Sequence, residues 1–318
     1  MTLAAQSPSA IDSKRWFAHF SGNFVAVDGH TRMGRTNHYG PLRVQRPFFP
    51  EGLDYLHLYL LHPPGGLVGG DRLSIDISLE SRAKVLMTTP SAGKIYRNIS
   101  GLKQGQHVNL KVADGAVMEY LPQENIVFDG AEAELNTQVD IEGSGLFIGW
   151  ELTCLGRFES GELFEAGQLQ QSLIITHDGR PLFNDRLNLY VPSDHTKVDD
   201  TNAGAGLIQN AQGLQASNAG FQNRSVFGTF VINAELLHAD SESDASGLTE
   251  RLLDFQARFN DEQAGASRLA MTQKPGVFIA RALGDKAERL RQCFEQIWTM
   301  ARPTLLTRTA CVPRIWRT

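Results

Sequence analysis

Apolar and polar residues alternate along much of the chain between residues 20 and 235. Leu73, Ile75, Ile77 and Leu79 fall on one parity, Ser74, Asp76 and Ser78 on the other. Leu135, Thr137, Val139 and Ile141 repeat the pattern against Asn136, Gln138 and Asp140, and Leu187, Leu189 and Val191 continue it. Successive side chains of a strand point to opposite faces, so this period of two predicts strands with one buried face. Glycines at positions 101, 105, 115, 130, 143 and 145 break the runs and keep the strands short. The expected fold is mainly β: a sandwich, a barrel or a solenoid of strands. No fixed sequence period is present, so residue spacing alone does not indicate a regular β-helix repeat.

The period changes near the C-terminus. Leu248, Leu252, Phe255 and Phe259 form a helical stripe, as do Leu290, Phe294, Ile297 and Ala301. Asp285 with Glu288 predicts an N-terminal capping pattern for the second helix, and Pro303 predicts its end near Arg302. The first 18 residues are expected as a flexible tail ahead of a single domain. Residues 194–224, rich in Asn, Gly, Ala and Gln, are expected as a long surface loop or insert. The acidic, serine-rich tract Asp240–Gly247 is expected to be solvated.

Composition narrows the class. The chain has 318 residues, 42% hydrophobic and 20% charged, which suits a packed core rather than a disordered polymer. A net charge of −5 gives no general attraction to nucleic acid or to an anionic membrane, although Arg302, Arg308, Arg314 and Arg317 make the C-terminal end locally basic. The 3 cysteines, Cys154, Cys293 and Cys311, are widely spaced. They suggest neither a disulfide framework nor a structural zinc site, and point to the cytoplasm. No signal-like N-terminus or membrane-length apolar run is seen.

Four segments carry candidate chemistry. PPGGLVGGD, Pro63–Asp71, crowds glycine and proline between two apolar runs, which forces a tight corner with Asp71 at its exit. TTPSAGKIYRN places Thr88 and Lys94 beside a strand end. It is not a phosphate loop, because the earlier glycine is missing and Ile95 stands where a hydroxyl is needed. EYLPQENIVFDGA, residues 119–131, sets Glu119, Glu124 and Asp129 among large apolar residues. These carboxylates are either exposed alternates of a strand or a polar lining inside the protein. In the second case each needs a partner, such as Lys94, Arg97, Arg157 or Arg186. GWELTCLGRFESGE, residues 149–162, adds Glu151, Arg157 and Glu162 around a cysteine and a tryptophan that suit the core. His57 and His62 fall on opposite strand faces, and no HExxH, GxSxG or dinucleotide fingerprint appears. Residue reasoning by itself leaves a β-rich protein without recognised catalytic machinery. A glycan-active enzyme pairing Glu119 with Glu151 and a plain protein-binding module both stay open.

In this order the four motifs resemble the urease accessory protein family UreD, called UreH in some organisms. The resemblance continues through WTMARP at Trp298–Pro303 and PRIW at Pro313–Trp316, and runs from about Gly34 to Trp316. Gly93 stands where the family commonly has threonine, and Asp185 where glutamate is usual before Arg186. The resemblance implies a β-helix-like stack of strands with a few helices, and a scaffold rather than an enzyme. It also implies partners: a helical accessory protein (UreF), through it a GTPase (UreG), and the urease apoprotein. No tightly bound cofactor is implied; nickel is in transit. Carboxylates, hydroxyls and water suit a path of weak, exchangeable ligands. Asp71, Glu119, Glu124, Asp129, Glu151 and Asp185 are the expected lining of that path, with Thr88 and Lys94 near its course. Trp298, Arg302 and Arg314 are expected to dock a partner or to fix the end of the chain.

Overall fold

A computed structural model describes residues 16–192, 214, 216–237, 247–262 and 266–317. The expected tail falls outside these residues up to position 15, and Trp16, Phe17 and Ala18 already belong to the first strand. Residues 194–213 and 215 of the expected insert, and 240–246 of the acidic tract, also lie outside them.

The chain winds as a stack of strands. β1 (Trp16–Val27), β2 (His30–Tyr39), β5 (Asp71–Leu79), β8 (Gln104–Val112), β11 (Glu132–Ile141), β13 (Gly167–His177) and β14 (Arg180–Val191) form a 7-stranded sheet ordered β14-β13-β11-β8-β5-β1-β2. The second sheet takes β3 (Arg43–Val44), β4 (Leu56–Leu61), β6 (Lys84–Thr88), β9 (Val117–Tyr120), β12 (Leu146–Leu155), β15 (Val226–Ile232), β16 (Arg268–Lys274) and β17 (Val277–Gly284), in the order β16-β17-β15-β12-β9-β6-β4-β3. From β5 to β13 the chain passes alternately between the sheets. Its neighbours in each are parallel, as in β5–β8–β11–β13 and β6–β9–β12. Short strands β7 (Gly93–Ile95) and β10 (Asn125–Val127) pair in parallel, and β10 also pairs in parallel with the end of β12, which joins both to the second sheet. This is the β-solenoid-like stack the resemblance implied. Successive coils begin at Asp71, Gln104, Glu132 and Gly167; their unequal lengths explain why no repeat is visible in the sequence.

The alternating runs bury the residues they should. Along β5 every residue of the Leu73–Leu79 apolar parity is buried. PPGGLVGGD makes two turns: the Gly65 N–H bonds His62 O, and the Asp71 N–H bonds Val68 O. A Cβ on Gly66 would sit 2.8 Å from Lys94 O, so glycine is what lets the next coil pack against this corner.

The second sheet is covered on both faces. One face meets the first sheet through Met118, Tyr120, Phe147, Val231 and Ile279. The other meets helices α1 (Leu248–Glu262) and α2 (Ala287–Leu306) through Trp150, Phe230, Phe278, Phe294 and Trp298. Both helical stripes are buried. Two terminus expectations are corrected. Asp285 does not cap α2; its carboxylate is taken by Arg224, and the cap position is Lys286 without a side-chain hydrogen bond. Pro303 does not end α2. The helix runs on to Leu306 and closes at left-handed Thr307, because Leu305 and Leu306 pack against the core.

Candidate functional site: two polar clusters on opposite faces of one sheet

Glu119 and Glu151 lie on neighbouring strands β9 and β12, where Glu119 is opposite Ile148. Parity sends them to opposite faces. Val117, Glu119 and Leu121 share the helix side, whereas Phe147, Gly149, Glu151 and Thr153 share the inter-sheet side. Each carboxylate organises its own cluster.

Glu119 is 0% exposed and fully engaged. Its Oε2 accepts from the Tyr55 hydroxyl at 2.7 Å and its Oε1 from Trp298 Nε1 at 2.6 Å. Arg302, also 0% exposed, donates to Oε1 through Nε at 3.1 Å. The same guanidinium holds Glu51 with two further bonds, of 2.6 and 2.8 Å, and donates to Thr309 O. Glu51 in turn meets His57 Nε2 at 2.7 Å. Burial opposes Glu51 ionisation, yet the bonds from His57 and Arg302 hold its carboxyl below the ordinary glutamate range. Burial and the Glu119 charge push the Tyr55 phenol well up, so it stays a donor. Beside this clamp, Trp316 Nε1 donates to Thr88 at 2.8 Å, and Thr88 donates to Leu121 O at 2.6 Å. The arrangement ties α2 and the chain end to β4, β6 and β9. Of the three expected docking residues, Trp298 and Arg302 are interior and only Arg314 is exposed.

Glu151 faces a cavity of about 500 Å³ between the two sheets. Thr137 donates to its Oε1 at 2.5 Å and Gln171 to its Oε2 at 3.0 Å, while Thr153 donates to Gln171 at 2.9 Å. Burial pushes the Glu151 carboxyl above the ordinary range; the two hydrogen bonds oppose this and the nearby Asp185 adds to it. Asp185, on the edge strand β14, bridges the sheets: Arg281 of β17 meets it at 3.0 Å and Thr229 of β15 at 3.4 Å. Tyr120, its phenol raised by burial and by the Glu151 charge, lines a second cavity of about 250 Å³ with Gln106, Thr89 and His62.

Glu151 and Asp185 are therefore brought together. Asp71 is buried near the second cavity, accepting from the Val68 N–H at 2.9 Å and close enough to His62 to be coupled to it. Lys94 is exposed at β7. Glu124 lies beside Cys154, away from the inter-sheet layer. Asp129 binds Arg97 and the N–H groups of Glu165 and Ala166 at 2.9 Å, which pins one corner of the stack. The expected carboxylate partners Lys94 and Arg186 hold none of these groups, and Arg157 pairs with Glu162. Sequence reasoning missed Gln171, Thr229 and Arg281 in the cavity, and Glu51 and Tyr55 in the clamp. Thr137 was visible as the one hydroxyl in an otherwise aliphatic parity.

Among the described residues no group of three or more His, Cys, Asp or Glu could hold a metal ion, and no helix is long and apolar enough to cross a membrane. The Glu119–Glu151 acid–base pair is ruled out, because the sheet stands between them. The fold and these clusters define a β-stacked protein with an apolar core between its sheets and a polar cavity at Glu151.

Comparison with known proteins places that scaffold. The model of the UreD urease accessory protein family matches residues 18–317. The urease accessory protein UreD of Chromohalobacter salexigens is 40% identical, covering 99% of this chain and 95% of its own. That of Saccharophagus degradans is 38% identical over 96% and 94%, and that of Psychromonas ingrahamii 33% identical over 100% and 99%. The chain belongs to the UreD urease accessory protein family. These relatives carry the name of accessory proteins to an enzyme, not of enzymes.

Proposed function

We propose that this chain is a urease maturation scaffold whose inter-sheet layer carries nickel toward apo-urease. It works with a UreF-like helical partner and, through it, a UreG-like GTPase. The observation that supports this reading best is the cavity at Glu151. Its oxygen donors are the Glu151 carboxylate, held from behind by Thr137, the Thr229 hydroxyl and the Gln171 amide, with Asp185 at the rim. Divalent nickel binds strongly to imidazole and thiolate sites, and this set has neither. A sparse oxygen set can accept the ion and release it. Tyr120, buried within reach of the Glu151 charge, lines the second cavity together with His62 and Gln106.

The test is co-expression of the urease subunits and accessory proteins with Glu151→Gln or Asp185→Asn. Urease activity is expected to fall by about tenfold or more while the accessory complex still co-purifies, in line with the loss of a metal-positioning group. Full activation by both variants would overturn the inter-sheet route. Activation without this chain would overturn the scaffold role itself.

A further inference from the structure

The N-terminal end of the stack is open in both sheets. β2 is the last strand of the first sheet and pairs only with β1, and β3 is the last strand of the second and pairs only with β4. On its outer side β2 makes one backbone bond among the described residues, from the Thr31 N–H to Leu53 O. From Arg32 to Tyr39 no strand lies beside it. Arg32 and Arg35 stand on this strand, Arg43 on β3 and Arg46 just past it. All are exposed, and none has a carboxylate within ion-pair distance among the described residues. Between Asp28 and Glu51 the sequence holds no acidic residue. Asp28 is at the tip of the β1–β2 hairpin, Asp76 and Glu80 lie two strands inward, and Asp54 is taken by Lys84 and Arg308. The outermost strands of both sheets therefore carry positive charge alone.

We propose that the free edge of β2 is a docking site for an acidic, extended segment of a partner protein, which adds to the first sheet as a further strand. The main chain of Arg32–Tyr39 offers N–H and C=O groups to such a strand, and carboxylates on it meet Arg32 and Arg35. Guanidinium suits this, because its planar fork binds carboxylate through two parallel hydrogen bonds. A second copy of this chain is the wrong occupant, since pairing β2 with β2 sets guanidiniums against guanidiniums. Charge and bulges commonly protect an open edge from self-pairing, and here Gly34 and Arg35 bulge opposite Asn23. Protection alone does not call for the aromatic pair beside the same edge. Tyr39, 67% exposed, lies across from His19, and Phe17, 46% exposed, is its diagonal neighbour on the solvent face. They give an incoming strand an apolar anchor next to the charged positions. The proposal concerns this edge alone and stands whether or not a cation uses the Glu151 cavity.

The test uses the full chain and a fluorescein-labelled peptide alternating Glu and Val, followed by fluorescence anisotropy. One comparison probe alternates Gln and Val; another is the acidic peptide with every second backbone nitrogen methylated, which cannot pair as a strand on that side. A single-stranded DNA oligonucleotide serves as a polyanion of another class. The acidic peptide is expected to bind about tenfold tighter than the neutral and the methylated ones, and to weaken as salt rises from about 50 to about 300 mM. Arg32→Gln/Arg35→Gln removes two exposed, unpaired charges, so its thermal melt should match that of the parent while peptide affinity falls about tenfold. Equal binding of the acidic and neutral peptides, no effect of methylation, or unchanged affinity in the double variant would each overturn the proposal. So would DNA binding as tight as the acidic peptide, or no detectable peptide binding. Self-association of the chain that the double variant abolishes would make the occupant a second copy and overturn it as well.

Discussion

Replacing Glu119 by glutamine tests whether that carboxylate is a clamp or part of a path. The parent carboxylate accepts from Tyr55, Trp298 and Arg302 in a site with no solvent exposure. Glutamine keeps the shape and one acceptor oxygen, but its amide nitrogen then faces donors. Breaking a buried pair by removing one partner costs about 3–5 kcal/mol. Arg302 keeps its two bonds to Glu51, so the cation is not stranded and the low end applies. With a urea dependence of about 3 kcal/mol per molar, a loss of about 3 kcal/mol moves the unfolding midpoint down by about 1 M. Arg302→Met leaves Glu51 and Glu119 without their shared cation and should cost about 5 kcal/mol. The double variant should lose less than the sum of the two, with a coupling of about 2 kcal/mol. Urea unfolding followed by tryptophan fluorescence reads all three, because Trp298 and Trp316 lie at the clamp. A Glu119→Gln midpoint within about 0.2 M of the parent, or strictly additive losses, would refute the clamp. Urease activation by Glu119→Gln should fall only as far as the folded protein does.

Glu151 should behave in the opposite way. Burial raises its folded carboxyl above the ordinary glutamate range, so the native state holds that proton to a higher pH than the unfolded chain does. Stability then falls as pH rises from the unfolded value through the raised one. Glu151→Gln is expected to melt higher than the parent at neutral pH, with the difference vanishing below about pH 4; a constant difference across pH would contradict this. Gly156 has φ +75°, and a Cβ there would lie 2.5 Å from Glu162 O and 2.8 Å from the Leu163 carbonyl carbon. Gly156→Ala should destabilise by about 2 kcal/mol or more, seen as a lowered thermal melt.

The strands could be read from sequence because burial there follows parity. Leu73, Ile75, Ile77 and Leu79 announced a buried face, and both helical stripes announced theirs. Topology was less visible. A parallel stack with coils of unequal length leaves no period, and the crossing between sheets rests on turns such as Pro63–Gly70, whose local signal is only that of a corner. The helix ends misled for a related reason. Asp285 and Pro303 carry the right local chemistry, but Arg224 took the first and core packing carried the helix past the second.

The carboxylates show where sequence reading stops. Glu119, Glu124, Asp129 and Glu151 look alike in the chain, each an acid among apolar neighbours. In a strand exposed on one face, parity would tell inside from outside. β9 and β12 are buried on both faces, so parity separates two interiors and says nothing about what fills either one. The partner that decides Glu119's role is Arg302, in a helix far along the chain, and those that decide Glu151's role are Thr137 and Gln171 on the opposite sheet. A charged side chain with a guanidinium and an indole closed over it is fixed in place. One held by a hydroxyl and an amide beside open volume can exchange its partner. That difference in surroundings, absent from the local sequence, assigns the first carboxylate to stability and makes the second the residue on which the transport reading depends.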